Sequence, residues 1–144
     1  MDQSTEECNH ADGTRGLEIA AARDLNEVEA IRPIWEHMQS QELNPAPDAD
    51  INRYLSVLKW LGADVQPHVI LAQCDGRPVA MVIGRIEEHP LDFKLGYKTL
   101  LSPKLRCLTI VYGGILGEPE GDLCYLLVGE ITKLARNEIA GIVK

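Results

Sequence analysis

Between residues 17 and 40, the apolar positions predict a short strand followed by a helix. Leu17–Ala22 is short and apolar, which predicts a first strand. A helix is expected to begin at Asp24, because Asp24 and Glu27 have the spacing of a capping box. Pro33 interrupts this helix and predicts a kink or a restart there. The apolar residues of its buried face are Leu25, Val28, Ile31, Trp35 and Met38.

A second helix is predicted after the breaker Asn44-Pro45-Ala46-Pro47. It starts near Asp50 and closes at Gly62, which has the residue type of a helix C-cap. Its apolar face consists of Ile51, Tyr54, Leu55, Leu58 and Leu61.

The clearest local pattern is a hairpin. His68–Cys74 and Val79–Ile86 are apolar and β-prone, and Asp75-Gly76 between them is a preferred tight-turn dipeptide. Both strands are apolar on both faces, so the sheet must be covered on both sides. We therefore predict an α/β fold with a mixed, largely antiparallel sheet and helices on both faces.

The last third of the chain continues this pattern. Leu105–Tyr112 predicts a strand, residues 113–121 form a glycine-rich joint, and a helix starts at Asp122 and ends near Ala140-Gly141. Ile142-Val143 has the character of the start of another strand, and fraying of the helix end is the alternative. Residues 87–104 are too mixed to assign.

Composition and charge narrow the class of protein. The 144 residues carry a net charge of -8, and residues 1–50 alone hold twelve acids and three bases. This acidity argues against general nucleic-acid binding, which requires a basic face. Residues 1–16 are polar and predict a disordered leader before a single domain, 17–144. No apolar run approaches the ~20 residues of a membrane span.

The spacing of the cysteines and the polar start of the chain indicate the cellular compartment that we expect for this protein. No secretory signal is visible at the start, and no two cysteines have metal-ligand spacing. We therefore expect no metal site and four free thiols in a reducing cytoplasm. These are Cys8, Cys74, Cys107 and Cys124.

The order of elements and several short phrases resemble the first half of the GNAT acyltransferase fold. The phrases are similar to those of the CelD-like group of bacterial polysaccharide and cellulose synthesis, whose proteins resemble Fem-type aminoacyltransferases with two GNAT-like halves. The resemblance covers residues 17–144 and implies that the chain is an incomplete, N-terminal half. The phrases are Ile34-Trp35, residues 67–72, residues 75–80 and residues 108–117.

The resemblance implies acyl transfer from acetyl-CoA to an amine on a small molecule or sugar. In the superfamily the coenzyme lies where two strands splay apart, with its pyrophosphate on the N–H groups of the following helix. The positions of this sequence that this places at the cofactor are Val111, Gly113, Gly114 and Gly117.

The joint departs from the family pattern in its charge. Gln or Arg usually leads the glycines, whereas no basic or amide residue does so here. The joint instead carries Glu118, Glu120 and Asp122, and Asp122 is interpreted as the helix N-cap. Weak coenzyme binding, and an inactive fragment, are therefore expected. The alternative is a non-catalytic, degenerate GNAT-like module that binds a partner.

Other candidate residues have plainer explanations beside their functional ones. Glu87, Glu88 and His89 offer a general base or simply a polar strand end, so the catalytic residues stay unassigned. A basic stretch offers contact with an anionic cofactor or polymer, or a solvated loop; it consists of Lys94, Lys98, Lys104 and Arg106. An unpaired edge of an incomplete sheet predicts self-association.

Overall fold

The computed structural model describes residues 16–119 and 121–137, and the backbone of residues 142–143. The predicted leader therefore lies outside the described residues except for Gly16, and so does the expected helix end at Ala140-Gly141. The elements are β1 (Leu17–Ala22), α1 (Leu25–Ala30), α2 (Arg32–Ser40), α3 (Ile51–Leu61), β2 (Gln66–Cys74), β3 (Arg77–Pro90), β4 (Phe93–Leu95), β5 (Lys98–Leu101), β6 (Lys104–Gly117), α4 (Asp122–Asn137) and β7 (Ile142–Val143).

Five strands form the main sheet, in the order β1-β2-β3-β6-β7. Neighbouring strands are antiparallel except β6 and β7, which run parallel. The parallel strand at Ile142-Val143 confirms the prediction that a further strand begins after α4. Strands β4 and β5 form a separate two-stranded hairpin between β3 and β6.

The predicted hairpin between β2 and β3 is confirmed. Cys74 pairs with Arg77, which leaves Asp75 and Gly76 as the two turn residues. Both have positive φ, 51° at Asp75 and 76° at Gly76, as a two-residue turn of this kind requires.

One face of the sheet is covered by α1, α2 and α3. The first helical segment breaks at Ile31, and Pro33 occupies the first turn of α2, which confirms the predicted restart. Trp35 is fully buried in this core and donates its indole N–H to the Ala49 carbonyl at 2.8 Å. A 3₁₀ turn, Pro47–Ala49, leads into α3, whose N-cap Asp50 accepts from the Arg53 N–H.

Helix α4 covers the opposite face. Leu127 packs with Ile70 and Val82, and Leu134 packs with Ile86 and Leu108. Helices therefore bury both faces of the sheet, as predicted from strands that are apolar on both sides. None of the described helices is long and apolar enough to cross a bilayer.

Three sequence predictions need correction. Strand β6 does not end at Tyr112 but continues through the glycines to Gly117. Asp122 is the first helical residue rather than the cap, since the Gly121 carbonyl before it accepts from the Tyr125 N–H. Cys74 is disulfide-bonded rather than a free thiol, whereas Cys107 and Cys124 are not in a disulfide.

Candidate functional site

The central feature of the site is a wide bulge in β6. Val82 pairs with Ile115 and Gly84 pairs with Ile110, so residues 111–114 stand opposite Ile83 alone. Four residues of β6 therefore stand where a regular ladder would place one, and the pairing with β3 is interrupted over this segment.

Glycine is required at two positions of the bulge. Gly113 has φ of 68°, and a Cβ there would overlap the Cβ of Ala46. A Cβ on Gly114 would lie 2.6 Å from Val111 Cγ2 and 2.8 Å from the Ile83 carbonyl oxygen. The two glycines therefore let the strand fold back on itself and approach the loop after α2.

Beside this bulge, the described residues leave the other edge of β6 without a strand partner. β7 pairs only with Cys107 and Leu108. Beyond Leu108, β6 runs on to Gly117, and no described strand lies along that edge. A ligand therefore has access to backbone groups on the side of β6 that faces away from β3.

The end of β6 is acidic. The Gly117 N–H donates to Glu42 Oε1 at 2.9 Å, so a carboxylate from the loop after α2 already occupies this donor. Glu118 follows directly, and Asp122 opens α4; neither makes an ion pair with a described residue. An anion approaching this end of the strand would meet negative charge on the protein.

A groove of about 280 Å³ lies beside the bulge, on the face covered by α3. One wall comes from the 3₁₀ turn and α3, and the other from β3 and β6. Asp48 is the only carboxylate lining it among the described residues, and Arg53 Nε holds Asp48 Oδ1 at 2.7 Å. The full lining is Asp48, Arg53, Tyr54, Val57, Arg85, Thr109, Ile110, Val111 and Tyr112.

Tyr54 links helix α3, which forms one wall of the groove, to the sheet. Its hydroxyl donates to the Gly84 carbonyl at 2.5 Å, and its ring packs against Trp35 with centroids 5.2 Å apart. Burial raises the pKa of Tyr54, so the phenol stays protonated at neutral pH. The donor side of this hydroxyl is therefore committed to the backbone rather than to a ligand.

Glu87 is the centre of a polar network next to the groove. Its side chain is 10% exposed, and its carboxylate accepts from Arg85 Nε at 3.0 Å, His89 Nε2 at 2.8 Å and Thr109 Oγ1 at 2.5 Å. Burial alone would raise the pKa of Glu87, but the hydrogen bonds from Thr109, His89 and Arg85 outweigh it and hold that pKa at about 2. A carboxylate this acidic is a poor proton acceptor at neutral pH, so Glu87 orients its neighbours instead of acting as a base.

The predicted site residues fall into separate places. Val111, Gly113 and Gly114 lie together in the bulge, whereas Gly117 lies at the far end of the strand. Of the three candidate-base residues, Glu87 and His89 lie together through their 2.8 Å hydrogen bond, whereas Glu88 is exposed on the other face. A coenzyme role for the four predicted residues stays a prediction.

The predicted basic stretch is divided between two elements. Lys94 and Lys98 stand on the exposed β4–β5 hairpin, whereas Lys104 and Arg106 belong to β6. Arg106 lines a second groove, of about 260 Å³, with Glu87 and Glu88.

Sequence reasoning missed Asp48, Tyr54 and Arg85. Arg85 carried a usable signal, because an arginine inside an otherwise apolar strand needs a partner or a ligand. Asp48 and Tyr54 gave no comparable signal, since an acid in a loop and a tyrosine on a helix face are both ordinary.

Comparison with known proteins gives limited information. No protein-family model and no curated protein matches the chain. Among solved structures, the chain is similar to the crystal structure of a predicted acetyltransferase with acetyl-CoA from Clostridium acetobutylicum. The two are 16% identical, the match covers 89% of this chain and 80% of that one, and the TM-score is 0.41. A likeness at this level assigns neither family nor activity to the chain.

Proposed function

We propose that this chain is an acyl-CoA-dependent N-acyltransferase domain of the GNAT type, which transfers an acetyl group to a primary amine in polysaccharide or cell-envelope metabolism. The observation that carries the proposal is the bulge at residues 111–114, next to the edge of β6 that β7 leaves open. Backbone N–H groups of this segment lie outside the regular register with β3 and are our candidates for the donors that a reacting carbonyl needs.

In the proposed reaction the thioester of acetyl-CoA lies along the open edge of β6. A bulge N–H donates to its carbonyl oxygen and stabilises the negative charge that forms there. The amine nitrogen attacks the carbonyl carbon, the carbon–sulfur bond breaks, and the coenzyme leaves as a thiolate. The attacking nitrogen loses a proton as the amide forms, and the departing thiolate takes up a proton, so the products are the amide and the free thiol of the coenzyme.

The groove beside the bulge holds the acceptor amine in this proposal. Asp48 lines the groove and has a carboxylate that can attract an ammonium group and receive its proton. Glu87 does not take this role, because its carboxylate is already engaged by three donors.

The acids near Gly117 and α4 make acetyl-CoA binding weak. Glu42 occupies the Gly117 N–H, and each further carboxylate repels a phosphate by about 1 kcal/mol at close range in water. Salt screens this repulsion, so the penalty falls as ionic strength rises. We expect a dissociation constant for acetyl-CoA well above ~10 μM, which corresponds to about -7 kcal/mol.

The test combines calorimetric titration with acetyl-CoA, NMR mapping of the bound coenzyme, and thiol release with a panel of amines that includes amino sugars. Expected results are weak binding, shifts confined to residues 111–117 and the start of α4, and slow amine-dependent thiol release. The inactive fragment expected from the sequence would instead release no thiol with any amine. The double variant Glu118→Gln/Asp122→Asn should bind several-fold more tightly at low salt. Glu18→Gln, on edge strand β1 at the opposite end of the sheet, is the matched control and should change nothing.

Two results would overturn the proposal. NMR shifts that map away from β6 would reject the proposed binding site. Absence of any thiol release at millimolar acetyl-CoA would reject the proposed activity. The second result, with no detectable binding, would favour a non-catalytic module that binds a partner. The acidic end of β6 is the observation that favours that alternative.

A further inference from the structure

Arg85 has more hydrogen-bonding capacity than its structural contacts use. Its Nε donates to Glu87, and the described residues provide no partner for Nη1 or Nη2. The side chain is 22% exposed, and no buried side-chain nitrogen lacks a partner among the described residues, so the terminal nitrogens reach water. A guanidinium has five N–H donors, and most of those of Arg85 are therefore available.

Arg85 lines the groove, so its available N–H groups can reach a ligand that binds there. Arg85 lines the groove with Tyr54 and Thr109, and it pairs in register with Thr109, two residues before the bulge. Two residues of strand span roughly 7 Å. A group bound by the free edge of Arg85 would thus lie within one small molecule's length of Val111.

Glu87 makes this arrangement a prepared binding site. By holding Nε, it fixes the plane of the guanidinium before any ligand arrives, which reduces the ordering cost of binding. The remaining edge of a guanidinium matches the two oxygens of a carboxylate. Asp48 and Glu87 lie close by, and these negative charges disfavour a doubly charged phosphate.

We propose that the acceptor carries a carboxylate, which Arg85 binds through its terminal nitrogens while the amine of the same molecule lies at the bulge. This inference rests on the proposed function for the role of the bound molecule. The binding of the carboxylate itself does not depend on it. The acceptor class is thus an amino carboxylate of small size, in which the anionic group sets the specificity.

The test uses β-alanine, 4-aminobutyrate and 6-aminohexanoate, each paired with its amide, so that only the carboxylate differs within a pair. In the absence of acetyl-CoA, titration of the wild-type protein is followed by the Nε–H NMR signal of Arg85. We expect the acids to shift this signal and the amides to leave it in place. No shift with any of the acids would overturn the inference.

Activity provides the second readout. With acetyl-CoA, each acid should be acetylated about tenfold more efficiently than its amide, in kcat/KM, as one charge-assisted bidentate contact predicts. Arg85→Lys keeps the positive charge beside Glu87 but loses the planar pair of terminal N–H donors. This variant should reduce the acid-to-amide ratio of kcat/KM to about two. Arg106→Lys, an arginine of the same sheet that lies outside this groove, is the matched control and should keep the full ratio.

The outcomes separate the two proposals. Binding of acids at Arg85 without any acetylation would retain the carboxylate site and reject the acyltransferase. Acetylation of acids and amides at equal rates would retain the acyltransferase and reject the carboxylate site. Stronger binding of O-phosphoethanolamine than of the amino acids would also reject it, and if Arg85→Lys fails to fold, the titration of the wild-type protein still decides.

Discussion

Replacing Glu87 with Gln provides a direct test of the polar network beside the groove. Although burial raises the pKa of Glu87, its hydrogen bonds hold that pKa at about 2, below the ordinary glutamate value of 4.5. A folded pKa below the unfolded one means that the ionised form stabilises the fold above the unfolded pKa. That stabilisation is lost as pH falls from about 5 toward 2.

The size of the effect follows from the same two values. The lowering of the Glu87 pKa from 4.5 to about 2 corresponds to about 3 kcal/mol between the two protonation states, and about 2 kcal/mol of this is lost between pH 6 and pH 3. Glu87→Gln has no such group to titrate. It should be less stable than the wild type at pH 6, because Arg85 then lacks its anionic partner, and the difference should shrink by about 2 kcal/mol at pH 3.

The assay is urea unfolding of both proteins at pH 6 and pH 3, with equal salt. Glu88→Gln is the matched control, since Glu88 is the exposed neighbour on the same strand and makes no ion pair with a described residue. Its difference from the wild type should be small at both pH values. A Glu87→Gln difference that stays constant with pH would show that the network does not hold this carboxylate ionised.

Three further predictions concern the sheet. Gly76→Val should destabilise the protein by about 1 kcal/mol or more, because φ is 76° at this position of the β2–β3 turn. For comparison, Gly129→Ala in helix α4, where a Cβ meets open space, should stabilise the protein by up to about 1 kcal/mol. Thermal unfolding of both variants and the wild type measures the two effects. Gly114→Ala should cost several kcal/mol in urea unfolding, since its Cβ would meet Val111 and the Ile83 carbonyl, and a fully stable variant would show that the bulge can relax. The open edge of β6 should give dimers in sedimentation at micromolar concentration, and a clean monomer would count against an accessible edge.

Signals confined to a few neighbouring residues made much of the fold predictable. Asp75-Gly76 fixed the hairpin, Asp24 and Asp50 marked helix starts, and Pro33 marked the restart of α2. Each acts through the local backbone, so the sequence alone carries the information. The apolar strands also predicted correctly that both faces of the sheet would be covered.

Features that depend on pairing between distant residues were not predictable. From the sequence, Gly113 and Gly114 belong to a glycine-rich joint after the strand, because a bulge is visible only once Ile83 is known to lie opposite. The disulfide of Cys74 depends likewise on which cysteine comes near it in space. The link from Arg85 through Glu87 to Thr109 needs the register of β3 with β6, which periodicity does not give.

The β4–β5 hairpin differs from the rest of the fold in its local stability. Residues 91–102 are exposed on both faces, and their strands pair only with each other. Its amide hydrogens can therefore exchange with solvent through an opening that leaves the five-stranded sheet intact, while those of β2 and β3 require a much larger unfolding event. A protease cut within this hairpin would remove no contact of the buried core, and we expect the two pieces to stay associated through the pairing of β3 with β6.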